Sequence, residues 1–214
     1  MNLEKDVCVI GAGVMGLATA YYLLKYGKTV AVLEKGEVGS GASSSCDDMI
    51  LMQSKKPGIA LTLAMESLDM YKELPLELDA DIGFLTLGGM VIIEDEKQLK
   101  IMEDFVKQQV SYGLDVEIVD RDVLFKKQPH VAGYMIASTY SPSDSQVNPL
   151  LLMRALLRKG LNMGMDIFRS TPVQEIKQSG DHWIVKGKNG ISVECDSIVI
   201  AAGAWSGQIG DLLG

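Results

Sequence analysis

Gly11, Gly13 and Gly16 form a G-x-G-x-x-G run within VIGAGVMG, and an acidic residue, Glu34, follows at about the twenty-residue distance typical of dinucleotide sites. A glycine run of this kind lets a diphosphate approach backbone amides at a helix N-terminus, and the later carboxylate can accept hydrogen bonds from ribose hydroxyls. Each glycine has its own task. Gly11 permits the tight turn, Gly13 the close approach of phosphate, and Gly16 the packing of helix on strand. A carboxylate at Glu34 would also repel a 2′-phosphate. The alternative is a glycine-rich turn followed by an unrelated surface glutamate.

The second chemical feature is GSGASSSCDDMI, Gly39 to Ile50. Gly41 and Ala42 are small enough for a ligand to reach the backbone, and the hydroxyls of Ser43, Ser44 and Ser45 can donate to phosphate or ribitol oxygens. An extended FAD reaches further along a protein than NAD, so a loop of this composition directly after the Glu34 strand favours FAD. A flexible linker is the plain alternative.

These groups need a strand, a turn, a helix and a second strand to hold them. Val7 to Ile10 is a short apolar run ending at Gly11, Val14 to Tyr26 is apolar on nearly every helical face, Gly27 supplies a helix stop, and TVAVL (Thr29 to Leu33) reads as a strand. The unit is β-α-β, and its uninterrupted apolar runs are those of parallel strands covered on both faces. Further on, the spacing of Leu61, Met65, Leu68 and Tyr71 predicts an amphipathic helix from Ile59 to Leu78, interrupted at Pro75. Phe84 to Ile93 reads as a strand or hairpin about Gly88-Gly89, and Glu94 to Tyr112 as a charged helix. Asp120 is placed to cap a short helix before Pro129. Asn148-Pro149 opens a helix that stops at Gly160. Strands are expected at 173–177, 183–186, 191–194 and 197–201, with a turn at Ser179-Gly180. The middle section, 81–145, reads as an inserted α+β module, since its strands are not separated by regular helical crossovers.

Composition narrows the class. The chain has 214 residues, 47% hydrophobic and 22% charged, enough for a sizeable core, and its net charge of −8 without a Lys/Arg cluster argues against nucleic acid. The N-terminus lacks a signal peptide's basic start and long apolar stretch, and no run approaches the roughly 18 apolar residues of a spanning helix. A cytoplasmic protein is expected, with peripheral membrane association left open. Cys8, Cys46 and Cys195 are odd in number and lack CxxC spacing, which suggests neither a disulfide framework nor a metal site. His130 and His182 read as surface or structural residues, and Arg154 and Arg158 as solvated helix positions.

The chain resembles the FAD-dependent amine and amino-acid oxidoreductases, the family that includes glycine oxidase, D-amino-acid oxidase, sarcosine oxidase and the flavin subunits of proline dehydrogenase, opine oxidase and hydrogen cyanide synthase. The resemblance covers essentially all of the chain and rests on VIGAGVMGLATAYYL, LEKGEVGSGASS, LGGMVII, YSPSDSQVNPLLLMRAL, TPVQEI and IVIAAGAWSGQIG, in that order. It implies an α/β fold: a Rossmann-like FAD-binding domain of the glutathione-reductase type with an inserted α+β substrate domain. The expected division is then an FAD-binding domain made of 1–80 and 146–214, with 81–145 forming part of the substrate domain. Carried over by match, Val14 and Met15 join the glycines at the diphosphate, and Glu34 and Lys35 stand at the adenosine ribose. Gly41, Ala42, Ser43 and Ser44 form the phosphate-ribitol loop, and Cys46, Asp47, Asp48 and Met49 lie toward the flavin ring. Val173 is similar to the residue whose backbone meets adenine, while Ala202, Gly203 and Trp205 resemble a second cofactor segment.

Asp47-Asp48 depart from the family pattern, where Ala, Asn or Gly is common. A carboxylate there could bind a substrate ammonium or alter the flavin potential, or it could simply face outward. The resemblance also implies that a carboxylate-binding residue and a final glycine-rich flavin segment would follow Gly214. The implied activity is oxidation of a C–N bond of an amino acid or secondary amine to an imine by hydride transfer to the flavin. No conspicuous base is required for that, and no catalytic residue is assigned. One alternative is an FAD-binding module inactive without a C-terminal half or a partner subunit. Another is an NAD-dependent dehydrogenase, against which the GASSS loop argues.

Overall fold

A computed structural model of the chain describes residues 1–213. In chain order the elements are β1 (Asn2–Ile10), α1 (Val14–Lys25), β2 (Val30–Leu33), β3 (Met49–Ile50), α2 (Ile59–Leu78), β4 (Leu85–Thr86), β5 (Gly89–Ile93), α3 (Glu96–Ser111) and β6 (Glu117–Asp120). There follow α4 (Arg121–Lys127), β7 (Ala137–Ser141), β8 (Ser145–Gln146), α5 (Pro149–Asn162), β9 (Asp166–Phe168), β10 (Val173–Ser179), β11 (His182–Gly187), β12 (Ser192–Ile200) and α6 (Ser206–Gly210).

The chain divides into two compact units. One contains residues 1–47, 78–82 and the chain from Asn148 onward; the other contains 48–77 and 83–147. Residues 48–77 thus pack with the second unit, whereas the boundary expected from composition lay at residue 80.

The first unit is built on a six-stranded sheet in the order β10-β11-β12-β1-β2-β9. β12, β1, β2 and β9 are parallel, and β10 and β11 add an antiparallel hairpin at one edge. Val30, Ala31, Val32 and Leu33 of β2 are at most 1% exposed, which is why this strand is apolar without alternation. Cys8 and Cys195 sit in the same apolar cluster as Ile10, Leu33, Val185 and Val193. Both are core side chains, at most 1% exposed, and a hydrogen bond with Cys195 together with burial pushes the Cys8 thiol far above the usual thiol range. α1 and α5 pack against each other.

The second unit holds two antiparallel three-stranded sheets, β3-β8-β4 and β5-β7-β6. Met52, Leu61, Leu68, Val106, Leu114 and Val116 form its apolar centre, with Met65 packed against it, so α2 buries most of the stripe that its periodicity marks and α3 contributes Val106.

Several local expectations are corrected. Pro75 lies inside α2 without ending it. Burial of the flanking Leu74 and Leu78, 8% and 0% exposed, outweighs a helix penalty of about 3 kcal/mol. β4 and β5 do not form a hairpin: Gly88, at φ 74° with its amide on the Asp144 carbonyl (2.9 Å), turns the chain so that each strand joins a different sheet. α5 passes Gly160, which is buried against Met165, and ends before Gly164 at φ 91°. The two runs 191–194 and 197–201 are one strand, β12. It pairs along β1 from Asn2 to Ile10, because a backbone ladder tolerates polar side chains at its half-exposed end. Arg158 is not merely solvated; its guanidinium donates to the carbonyls of Leu78 (3.0 Å) and Asp79. Asp95, Asp120 and Asn148 cap α3, α4 and α5 through side-chain oxygens, as their residue types favour.

Candidate functional site

The parallel strands β1, β2 and β12 end level with one another: Ile10 is opposite Leu33 and Ile200. The carboxyl end of such a sheet is where open α/β folds bind ligands. Here the chain leaves β1 through Gly11, at φ 108°, whose amide donates to the Leu33 carbonyl at 2.8 Å. A Cβ on Gly11 would lie 2.4 Å from the Ala201 carbonyl oxygen, and one on Gly16 would lie 1.9 Å from the Gly11 oxygen. Those two glycines are therefore demanded by the packing of strand, turn and helix. Gly13 differs, since a Cβ there would meet only the Ser43 hydroxyl, at 3.1 Å. Gly13 caps α1 in an extended conformation and provides no side-chain bond to the helix amides. The helix N-terminus is left as an anion-binding end.

The serine loop is brought to this turn. Gly39 donates to the Ala12 carbonyl at 3.0 Å, and Ser43 Oγ accepts the Val14 amide at 3.0 Å, which leaves the Ser43 hydroxyl proton available to a ligand oxygen. Ser44 and Ser45 hydroxyls donate to the Gly41 carbonyl, and Cys46 Sγ lies 3.5 Å from the Ser43 carbonyl. Gly41, Ala42, Ser44, Cys46 and Asp47 are exposed, as is Met15 at the start of α1.

Glu34 has a part that its sequence position did not disclose. It is 9% exposed; Oε2 accepts the Ala12 amide at 2.8 Å and Oε1 accepts the Gly36 amide at 2.7 Å. The carboxylate thereby ties the glycine turn to the loop after β2, and each oxygen retains a lone pair for a ribose hydroxyl. Next to it, the Lys35 ammonium stands over the Trp205 ring, 2.9 Å from its centroid. Thr171 donates to the Glu34 carbonyl (2.8 Å) and Ser170 to that of Gly36 (3.0 Å), which leads the chain into Val173 at the start of β10. Ala202 is half-buried and Gly203 exposed, on the turn between β12 and α6 that Gly11 abuts.

The first unit thus gathers Gly11 to Gly16, Glu34, Lys35, the 41–46 loop and the 202–205 turn at the carboxyl end of β1 and β2. Val173 pairs with Gly187 on the β10–β11 hairpin and is not brought to the glycine turn by any of these contacts. Asp48 and Met49 begin the second unit; both are exposed, and the Asp48 carbonyl accepts the Val147 amide at 2.9 Å. The donor set fits a dinucleotide: open backbone at Gly13 and Gly41 and serine hydroxyls for phosphates, and a fixed carboxylate for a ribose. Sequence reasoning missed the bracing of Glu34 and the Lys35–Trp205 contact, since neither has a linear signature. It also missed a buried polar cluster about Asp144 in the second unit. No group of side chains able to hold a metal ion is found among the described residues, and no helix among them is long and apolar enough to cross a membrane.

Comparison with known proteins agrees with this geometry. The family described as FAD dependent oxidoreductase matches residues 6–214. Glycine oxidase of Bacillus licheniformis is 32% identical over 98% of this chain and 57% of its own length. The crystal structure of glycine oxidase from Geobacillus kaustophilus superposes with a TM-score of 0.93 at 27% identity, covering 99% of this chain and 59% of that one. L-proline dehydrogenase from P. horikoshii shares the fold at a TM-score of 0.91 and 22% identity, over 99% of this chain and 56% of that one. The chain spans somewhat more than half the length of these relatives.

Proposed function

The chain belongs to the FAD dependent oxidoreductase family, and we propose that it takes part in oxidising the C–N bond of an amino acid or secondary amine to an imine. FAD, the cofactor of that family, would accept the hydride. The observation that carries the reading is the likeness to glycine oxidase over nearly the whole chain, in sequence and in fold.

The residues divide the work. The amide end of α1 and the Ser43 and Ser44 hydroxyls would hold the diphosphate and ribitol, and Glu34 and Lys35 the adenosine ribose. The Val173 backbone would meet adenine, and Ala202, Gly203 and Trp205 would flank the cofactor from β12. Gly41 and Ala42 leave room for it, while Cys46, Asp47, Asp48 and Met49 lead toward the reacting ring. In this proposal the cofactor domain is drawn from 1–80 and 146–214 and the substrate domain includes 81–145, to which residues 48–77 are joined by their packing. Orientation of a neutral amine is the main demand of such a step, so the protein's task is alignment and exclusion of competing partners.

A second reading is that these residues form an FAD-binding module that turns over only with a further polypeptide segment or a partner subunit. The match to a little over half of each glycine oxidase is what favours it. One experiment separates the two: FAD-loaded protein is mixed anaerobically with glycine, N-methylglycine or proline. Bleaching of the flavin bands supports the amine-oxidising reading. Stable bands with every amine, in protein that retains FAD, favour the module.

A further inference from the structure

Asp144 lies in the turn between β7 and β8 and is 1% exposed. Its carboxyl accepts two donors from one short segment: Oδ1 takes the Met52 amide at 2.7 Å, and Oδ2 takes the Gln53 side-chain amide at 2.6 Å. Gln53, 2% exposed, accepts the Thr139 hydroxyl through its own side-chain oxygen, and Gln109 of α3 donates to the Gln53 carbonyl at 3.0 Å and the Lys55 carbonyl at 2.9 Å. Space is made for the carboxyl on the opposite side, where a Cβ on Gly89 would fall 2.5 Å from Oδ2. No Lys, Arg or His is paired with Asp144 among the described residues, so its compensation comes from N–H donors.

The segment held in this way continues the serine loop. β3 pairs with β8, Met49 opposite Gln146 and Ile50 opposite Ser145, and the Val147 amide donates to the Asp48 carbonyl. Residues 48–50 are thus fixed by a ladder of only two residue pairs, too short to be rigid by itself. Two residues beyond it, Met52 and Gln53 are anchored by a side chain from the same β7–β8 turn. This cluster is sealed from water, where a lost partner leaves its donors unsatisfied and alternative positions of the segment are disfavoured.

We infer that Asp144 is a positioning residue, whose carboxyl, acting through Met52 and Gln53, sets the course of the chain from Asp48 to Gln53 within the second unit. This rests on the proposed function in that Asp48 and Met49 are among the residues assigned to the flavin side. Asp144 touches neither cofactor nor substrate in this account. What it supplies is acceptor geometry. Asparagine keeps the acceptor for the Met52 amide, and its NH2 can face a turned-over Gln53 amide oxygen at the cost of the Thr139 hydroxyl's bond to that oxygen; alanine offers Met52 and Gln53 no partner.

The test compares wild type, Asp144→Ala and Asp144→Asn by backbone hydrogen exchange and by the visible spectrum of FAD-loaded protein. In Asp144→Ala the amides of 48–55 are expected to exchange about tenfold to a hundredfold faster, with β1 and β2 unchanged, and in Asp144→Asn to stay near wild type. The flavin bands are expected to shift in the alanine variant and not in the asparagine one. Unchanged exchange over 48–55, a uniform speeding across residues 48–147, or unshifted bands despite faster local exchange would each overturn the assignment. Should Asp144→Ala fail to fold, Gln53→Met, which removes one of the two donors, is read in the same way. If wild type retains no FAD, the proposed function fails and the exchange measurement still decides whether Asp144 governs the segment.

Discussion

Glu34 Oε2 accepts the backbone amide of Ala12 at 2.8 Å, so the acid at the end of β2 braces the glycine turn at the end of β1. The other oxygen holds Gly36, and the side chain is almost fully buried. Glu34→Gln replaces one acceptor by a donor that faces an amide. It is expected to cost about 1–3 kcal/mol in urea unfolding and to weaken FAD retention in parallel. A variant of unchanged stability and unchanged FAD affinity would show that the brace is idle.

The glycines of the turn are predicted to separate by the space around them. Gly11→Ala places a methyl 2.4 Å from a carbonyl oxygen at φ 108°, and Gly16→Ala places one 1.9 Å from another. Overpacking of this kind costs about 1–3 kcal/mol, and strain at Gly11 adds to it. Gly41→Ala meets nothing within 4 Å. Thermal unfolding should therefore fall clearly for the first two and hardly move for Gly41→Ala, whose loss, if the loop serves the cofactor, appears in FAD affinity.

Trp205 is one of two tryptophans, the other being Trp183 on β11. Trp205 has Lys35 over its ring and 42% of its surface exposed, and if the 202–205 turn flanks FAD as proposed, its emission reports on binding. Titration with FAD should quench tryptophan emission, and Trp205→Phe should remove most of that response. Quenching of equal depth in Trp205→Phe would move the cofactor segment elsewhere.

At the far edge of the sheet, Lys177 and Lys186 flank Glu175, the latter at 2.7 Å, and hydrogen bonds from both lower its carboxyl from the usual 4.5 to about 2. A folded-state value below the unfolded one contributes stability that is full above about pH 4.5 and is lost as pH falls through about 2. Glu175 is half-buried and both lysines are exposed, so the effect is small and salt-sensitive. Unfolding curves for wild type and Glu175→Gln should converge toward pH 2 and separate above pH 4.5, less so at high salt.

Much of the cofactor unit was legible because its signals are local. A glycine run between an apolar strand and helix, the capping pair Asn148-Pro149 and the stop at Gly27 each act within a few residues. The apolar run marks only Val7 to Ile10 of β1, because Asn2, Glu4, Lys5 and Asp6 carry no apolar signal, although Asn2 to Lys5 pair in register with Ser192 to Cys195. The short strands of the second unit failed for a similar reason: β3, β4 and β8 span two residues each, and only tertiary pairing defines them. Bonds between Glu34 and Ala12, or Asp144 and Met52, join residues far apart in the chain and leave no periodic trace.

The proposed FAD site at the carboxyl end of β1, β2 and β12 is tested most directly by the visible absorption of the purified protein after incubation with FAD and desalting. Retained flavin bands are expected for wild type, and their loss in Glu34→Ala with the fold intact. Folded wild type that emerges without flavin, or Glu34→Ala that holds flavin equally well, would contradict it.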